Sequence, residues 1–205
     1  NISIYLRKNA KLLGDATGII EAKSGKRITF AALEKRSDHY AHIISEKGVK
    51  AGDKVMLMVK PSAEFICLTF ALFKIGAPVI LIDPGMGYRN LLRCISRVQP
   101  KVFIGIPKAH IFLRIFKKHF ATLKFKMCCG NSFGIFGPDI SKVNTLANAE
   151  FPLHVPKKND LAAIIFTTGS TGPPKGVRYE HNIFAAQLRH IKEYYGITPN
   201  DIDQP

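Results

Sequence analysis

The chain has 205 residues, 46% hydrophobic and 22% charged, which suits one sizeable domain or a large piece of one and excludes a disordered tail. Thirty Lys and Arg stand against fifteen Asp and Glu, a net charge of +15 that points to anionic partners: phosphates, nucleic acid or a membrane surface. Cys67, Cys94, Cys128 and Cys129 form no CxxC pair and no Cys/His quartet, so they read as buried thiols in a reducing compartment rather than a zinc site.

At the start, Asn1-Ile-Ser-Ile-Tyr-Leu6 is cut short by Arg7 and Lys8 and offers no signal-peptide core. Arg27–Phe30 reads as a short strand. Ala31–Glu46 reads as an amphipathic helix with Leu33, Tyr40, Ile43 and Ile44 inward. Gly48–Asp53 turns the chain into a strand over Lys54–Val59, and Pro61 opens a helix to Lys74. A compact apolar strand at Pro78–Ile82 is stopped by Asp83-Pro84-Gly85. The apolar region from Ala63 to Ile82 carries Glu64, Lys74 and the breaker Gly76-Ala-Pro78, so it is a buried helix leading into a buried strand and not a membrane span.

A helix is expected over Tyr88–Val98, a strand over Val102–Ile104 and a basic helix over Ala109–Phe120. Short strands and turns follow from Lys124 to Glu150, with a short helix after Pro138. Pro156-Lys-Lys-Asn-Asp160 reads as an exposed connector, Asp160–Phe166 as a further strand and Asn182–Tyr195 as a helix. Strands alternating with helices imply an α/β fold, a mostly parallel sheet flanked by helices.

Residues 166–177 read Phe-Thr-Thr-Gly-Ser-Thr-Gly-Pro-Pro-Lys-Gly-Val, directly after a buried strand. Gly169, Gly172 and Gly176 allow positive φ and close approach of backbone N–H groups to an anion. The hydroxyls of Thr167, Thr168, Ser170 and Thr171 add donors, and Lys175 adds a mobile positive charge. This composition suits the polyphosphate of a nucleotide. It is not a Walker A loop, because Gly176 and not Ser or Thr follows Lys175. A flexible linker is the bland alternative, disfavoured by the stiff Pro173-Pro174 and the strand-like flanks.

The segment resembles the signature loop of the adenylate-forming, AMP-binding superfamily: an aromatic residue, then Thr-Ser-Gly-Thr-Thr-Gly, any residue, and Pro-Lys-Gly. Thr168 and Ser170 are hydroxyl-preserving departures. His181-Asn182, Ile28-Thr29-Phe30 with Leu33, Gly52-Asp53, Lys74-Ile-Gly76 and Asp83-Pro84 fit the same family, over roughly residues 15–205. A narrower similarity, to olefin β-lactone synthetases and fatty-acid–CoA ligase-like proteins, is carried by Phe70–Lys74, Leu81–Gly87, Phe103–Ala109, Tyr195-Gly-Ile and Asp203-Gln-Pro205.

The resemblance implies an enzyme that uses ATP with Mg²⁺ to adenylate a fatty carboxylic acid, with long-chain β-hydroxy acids as one such class. The acyl-AMP would then become a β-lactone or, with coenzyme A, a thioester. A peptide-synthetase-type adenylation domain for an amino acid is one alternative, and a basic anion- or nucleic-acid-binding module, which the net charge would also suit, is a less favoured one from outside the enzyme class. The resemblance assigns Thr167, Thr168, Gly169, Ser170, Thr171, Gly172, Lys175 and Gly176 to the β- and γ-phosphates. It assigns no catalytic residue and no metal ligand here. Residues 1–205 would be the N-terminal portion of the large AMP-binding domain, without the rest of it, the C-terminal lid or the catalytic lysine. Such a piece would be inactive and prone to self-association. The missing initiator Met and the ending at Gln204-Pro205 point the same way.

Residues 84–138 hold ten Lys or Arg and no acid, and Phe112, Ile115, Phe116 and Phe120 can share one face of a helix. Two readings stand: a peripheral membrane contact that hands over lipid-like substrate, or an ordinary helix covering the sheet with a solvated basic face. The second is favoured, since helix–sheet packing needs the same stripe. A cytoplasmic location with peripheral membrane contact is the corresponding expectation. His39 and His42 lie i,i+3 but lack an acidic third ligand. No nucleic-acid partner is expected, because aromatics are not interleaved with the basic residues as in a known binding module.

Overall fold

The structure is a computed structural model and describes every residue except 23, 138, 143–148, 168–173, 199–200 and 204–205. Helix α1 (Ile4–Leu12) leads into a small antiparallel pair, β1 (Thr17–Ile20) and β2 (Arg27–Thr29). Helix α2 (Phe30–Glu46) starts where the Thr29 side chain accepts a hydrogen bond from the Ala32 N–H. Next come β3 (Val55–Met58), α3 (Ala63–Ile75), β4 (Val79–Ile82), α4 (Tyr88–Val98) and β5 (Val102–Gly105). The chain continues through α5 (Pro107–Ile115), β6 (Phe125–Cys128), β7 (Leu161–Thr167), β8 (Lys175–Glu180) and α6 (His181–Tyr195).

Helix α3 begins one residue after its cap, Ser62, whose hydroxyl accepts from the Phe65 N–H; Pro61 stands just ahead of the cap. It ends at Gly76, with φ +78°, where any Cβ would lie 2.4 Å from the His154 ring. Both the left-handed backbone and the close packing therefore require glycine.

The main sheet has the order β6-β5-β3-β4-β7-β8, parallel throughout except for the β7–β8 pair. Side chains alternate between two cores. Val55, Leu57, Val79, Val102 and Ile104 meet α2 and α3 through Tyr40, Ile44, Leu68 and Leu72. Met56, Ile80, Phe103, Ile164 and Phe166 meet α4 and α5 through Leu91, Ile95 and Leu113. The crossover after β3 thus covers one face and the crossover after β4 the other. Their strand ends part at a topological switch point, where open α/β sheets form a ligand crevice.

All four thiols are buried and unpaired, and burial pushes Cys67 and Cys129 up to about 12. Some expectations need correction. Helix α1 and strand β1 have no counterpart among the expected elements. The basic helix stops at Ile115, and Lys117–Phe120 tightens into a 3-10 turn that seats Phe120 in the core. Ile115, expected on the apolar face, is 67% exposed. After residue 138 the chain makes a bridge from Asp139 to Cys128 and a turn; any helix further on falls at residues 143–148, outside the described set.

Among the described residues no helix is long and apolar enough to cross a membrane.

Candidate active site

The Gly/Thr/Ser segment joins β7 to β8. Thr167, the last residue of β7, is the direct partner of Lys175, the first of β8, and Phe166 partners Gly176. Lys175 and Gly176, read in sequence as part of the glycine-rich phosphate segment, belong to a strand, because antiparallel pairing with β7 begins as soon as the chain has turned. Thr168, Gly169, Ser170, Thr171 and Gly172 lie outside the described residues. Thr167 and Lys175 are both exposed, and among the described residues no carboxylate pairs with Lys175.

Gly176 serves a different purpose from the one its composition suggested. Its φ is not positive; instead a Cβ there would meet the Phe166 ring at 3.0 and 3.1 Å and Ile164 Cγ2 at 3.4 Å. The missing side chain lets β8 lie tightly over Phe166 at the root of the loop.

Beside that root, at the switch point, a cavity of about 730 Å³ opens between the ends of β3, β4, β5 and β7. Leu57, Leu81, Phe65, Phe112, Ile165 and Phe166 make its walls apolar, and Lys60, Asp83 and Lys108 are its charged residues. Asp83 is engaged as a cap, accepting from the Gly85 N–H at 2.8 Å. In the sequence Asp83-Pro84 reads as a strand stop and as part of the family resemblance, and neither it nor Lys60 or Lys108 announces a cavity. The position of each just after a parallel strand was the available signal.

His181 opens α6 and is buried, 5% exposed. Its Nδ1 accepts the Ile2 N–H at 3.2 Å, while Nε2 has no partner, and burial lowers its pKa to about 4. It packs edge-on to Phe73, 5.9 Å between ring centres. These contacts make it a packing residue, away from the exposed Thr167–Lys175 pair. Among the described residues no group of three His, Cys, Asp or Glu could hold a metal ion.

A mostly parallel sheet with a crevice at its strand ends, at a topological switch point, is the frame of an α/β enzyme. The family of AMP-binding enzymes matches residues 6–202, and the chain belongs to that family of adenylate-forming ligases. The olefin β-lactone synthetase of Xanthomonas campestris pv. campestris is 36% identical over 184 residues, 87% of this chain and 32% of that protein. That of Stenotrophomonas maltophilia is 36% identical over 179 residues, with the same coverages. A long-chain fatty-acid–CoA ligase from Archaeoglobus fulgidus superposes with a TM-score of 0.84 over 98% of this chain and 40% of its own, at 19% identity, a likeness of fold. The chain spans about a third of the length of the curated relatives it matches.

The family uses ATP, typically with Mg²⁺, and the described residues fit the nucleotide: an exposed lysine without a carboxylate partner and a threonine flank the loop as strand partners. No residue described here is assigned to Mg²⁺.

Proposed function

We propose that the protein carrying this chain adenylates a long-chain β-hydroxy fatty acid and closes the acyl-adenylate to a β-lactone. The carrying observation is the 36% identity, over 87% of this chain, to proteins named olefin β-lactone synthetases. The apolar walls of the cavity beside the loop support a hydrocarbon-bearing substrate over an amino acid. Residues 1–205 would supply the N-terminal portion of the large AMP-binding domain.

ATP supplies an activated α-phosphorus and a pyrophosphate leaving group. A carboxylate oxygen attacks that phosphorus as the bond to pyrophosphate breaks. The substrate's β-hydroxyl oxygen then attacks the acyl carbon, expelling AMP and losing its proton. In this scheme Thr167, Thr168, Gly169, Ser170, Thr171, Gly172, Lys175 and Gly176 hold the β- and γ-phosphates. Lys175 would offset negative charge that grows on the departing pyrophosphate, which is electrostatic work and not proton transfer.

The test uses the intact protein with ATP, Mg²⁺ and a long-chain β-hydroxy acid, with and without coenzyme A. Pyrophosphate release and a β-lactone independent of coenzyme A are expected. A thioester formed only with coenzyme A would replace the lactone step, and amino-acid-dependent pyrophosphate exchange would replace the substrate class.

A further inference from the structure

Helices α4 and α5 lie side by side on one face of the sheet. Two contacts tie α4 to the turn that follows α5: Tyr88 stacks on Phe116 with ring centres 6.2 Å apart, and Ser96 Oγ meets His119 Nδ1 at 2.7 Å. Leu91, Ile95 and Leu113 are spent on the core beneath. The outer surface is then a single platform carrying exposed Arg89, Arg93 and Arg97 on α4, and Arg114, Lys117 and Lys118 at the end of α5 and just beyond it. None of these six takes part in an ion pair among the described residues. The segment 84–138 contains no acid, and among its described residues the one ion pair joins Lys101 to Asp53.

Three apolar side chains stand exposed among these cations: Tyr88 at 55%, Ile111 at 51% and Ile115 at 67%. We propose that this α4–α5 platform docks the protein on a bilayer surface rich in anionic lipid. Uncompensated cations on a single face complement a negative lipid surface, where each contributes while it remains within a Debye length. The exposed isoleucines favour a bilayer over nucleic acid. Aliphatic side chains add little to phosphate-backbone contact but gain by entering the boundary between headgroups and acyl chains. The proposal goes beyond the lactone reading and does not depend on it, because its readout is binding to vesicles without substrate.

The experiment is co-sedimentation of the intact protein with phosphatidylcholine vesicles, with and without phosphatidylglycerol, at low and high salt. Expected is binding to the anionic vesicles alone, lost at high salt. Reversal of Arg93, Lys117 and Lys118 to Glu should lower partition about tenfold or more, since each basic residue near such a surface carries a substantial share of the attraction. Ile111→Ser with Ile115→Ser should weaken binding that remains at intermediate salt. Reversing Lys8, Lys35 and Lys47, exposed on α1, α2 and just past the end of α2, makes the same change in net charge and should leave most binding intact. Circular dichroism establishes that each variant folds. Equal loss in both charge-reversed variants, equal binding to neutral vesicles, no binding at low salt, or capture of an oligonucleotide in preference to vesicles would each overturn the proposal.

Discussion

Lys74 Nζ lies 2.7 Å from Asp38 Oδ1, an ion pair between α3 and α2 with the lysine side chain wholly buried. Glu34 Oε2 is 2.9 Å from the same ammonium, and Arg7 reaches Glu34 at 2.7 Å and Asp38 at 3.0 Å. Asp38 also accepts the Phe151 N–H, and Arg7 donates to the Phe151 carbonyl. Two cations and two anions thus fasten α1 and the segment before β7 onto the helical layer. Lys74→Ala would leave two buried carboxylates facing one guanidinium. Breaking such a pair typically costs about 3–5 kcal/mol. A shift of the urea midpoint corresponding to less than about 1 kcal/mol would show that the network is compensated.

The network also explains what the sequence conceals. Strands β3, β4, β5 and β7 are compact apolar runs, and α2, α3, α4 and α6 were expected within a few residues of their observed ends. Their local patterns agree with their burial. Helix α1 buries only Leu6 within its span and is held by Arg7 and by Asn1 Nδ2, which donates to the Phe73 and His154 carbonyls. These partners lie up to 153 residues away, so no local period announces the helix. In the site, the loop composition and Lys175 could be read directly. The cavity could not, because it forms only where β3 and β4 send their crossovers to opposite faces.

His181 makes stability depend on pH. Nδ1 accepts from the Ile2 N–H, so the proton sits on the buried, partnerless Nε2 and the ring is neutral. The folded pKa is about 4, below the ordinary 6.5, chiefly through burial. Between those values the unfolded chain binds a proton that the folded chain refuses. The contribution is therefore present in full above pH 6.5 and is lost as pH falls toward 4, by up to about 3 kcal/mol. His181→Gln keeps an acceptor but does not titrate. Urea midpoints at pH 4.5 and 7.5 should differ less in the variant than in the natural chain, and equal differences would refute the assignment.

Gly176 sets how closely β8 lies on Phe166. In Gly176→Ala the new methyl meets the ring at 3.0 Å, and the expected cost is about 1–2 kcal/mol. Phe166→Leu removes the ring atoms in the way, so Gly176→Ala should cost less in that background than alone. Thermal unfolding of the four variants in a double-mutant cycle measures this coupling. Strict additivity would mean that the two residues do not press on each other.

Lys175 and Thr167 face each other as strand partners across the mouth of the loop. If they hold phosphate oxygens, their removal should act on the nucleotide and not on the fold, since both are exposed. A hydrogen bond between a charged lysine and phosphate contributes about 1.5–3 kcal/mol, so Lys175→Ala should lower kcat/KM for ATP roughly 10- to 100-fold. Thr167→Val removes a neutral donor and should cost about fivefold. Lys175→Arg keeps the charge but changes its shape and hydration, and partial recovery is expected. The measurement is ATP–pyrophosphate exchange by the intact protein with saturating fatty acid, together with a thermal unfolding curve for each variant. Unchanged kcat/KM for ATP in Lys175→Ala would remove this lysine from the phosphate site.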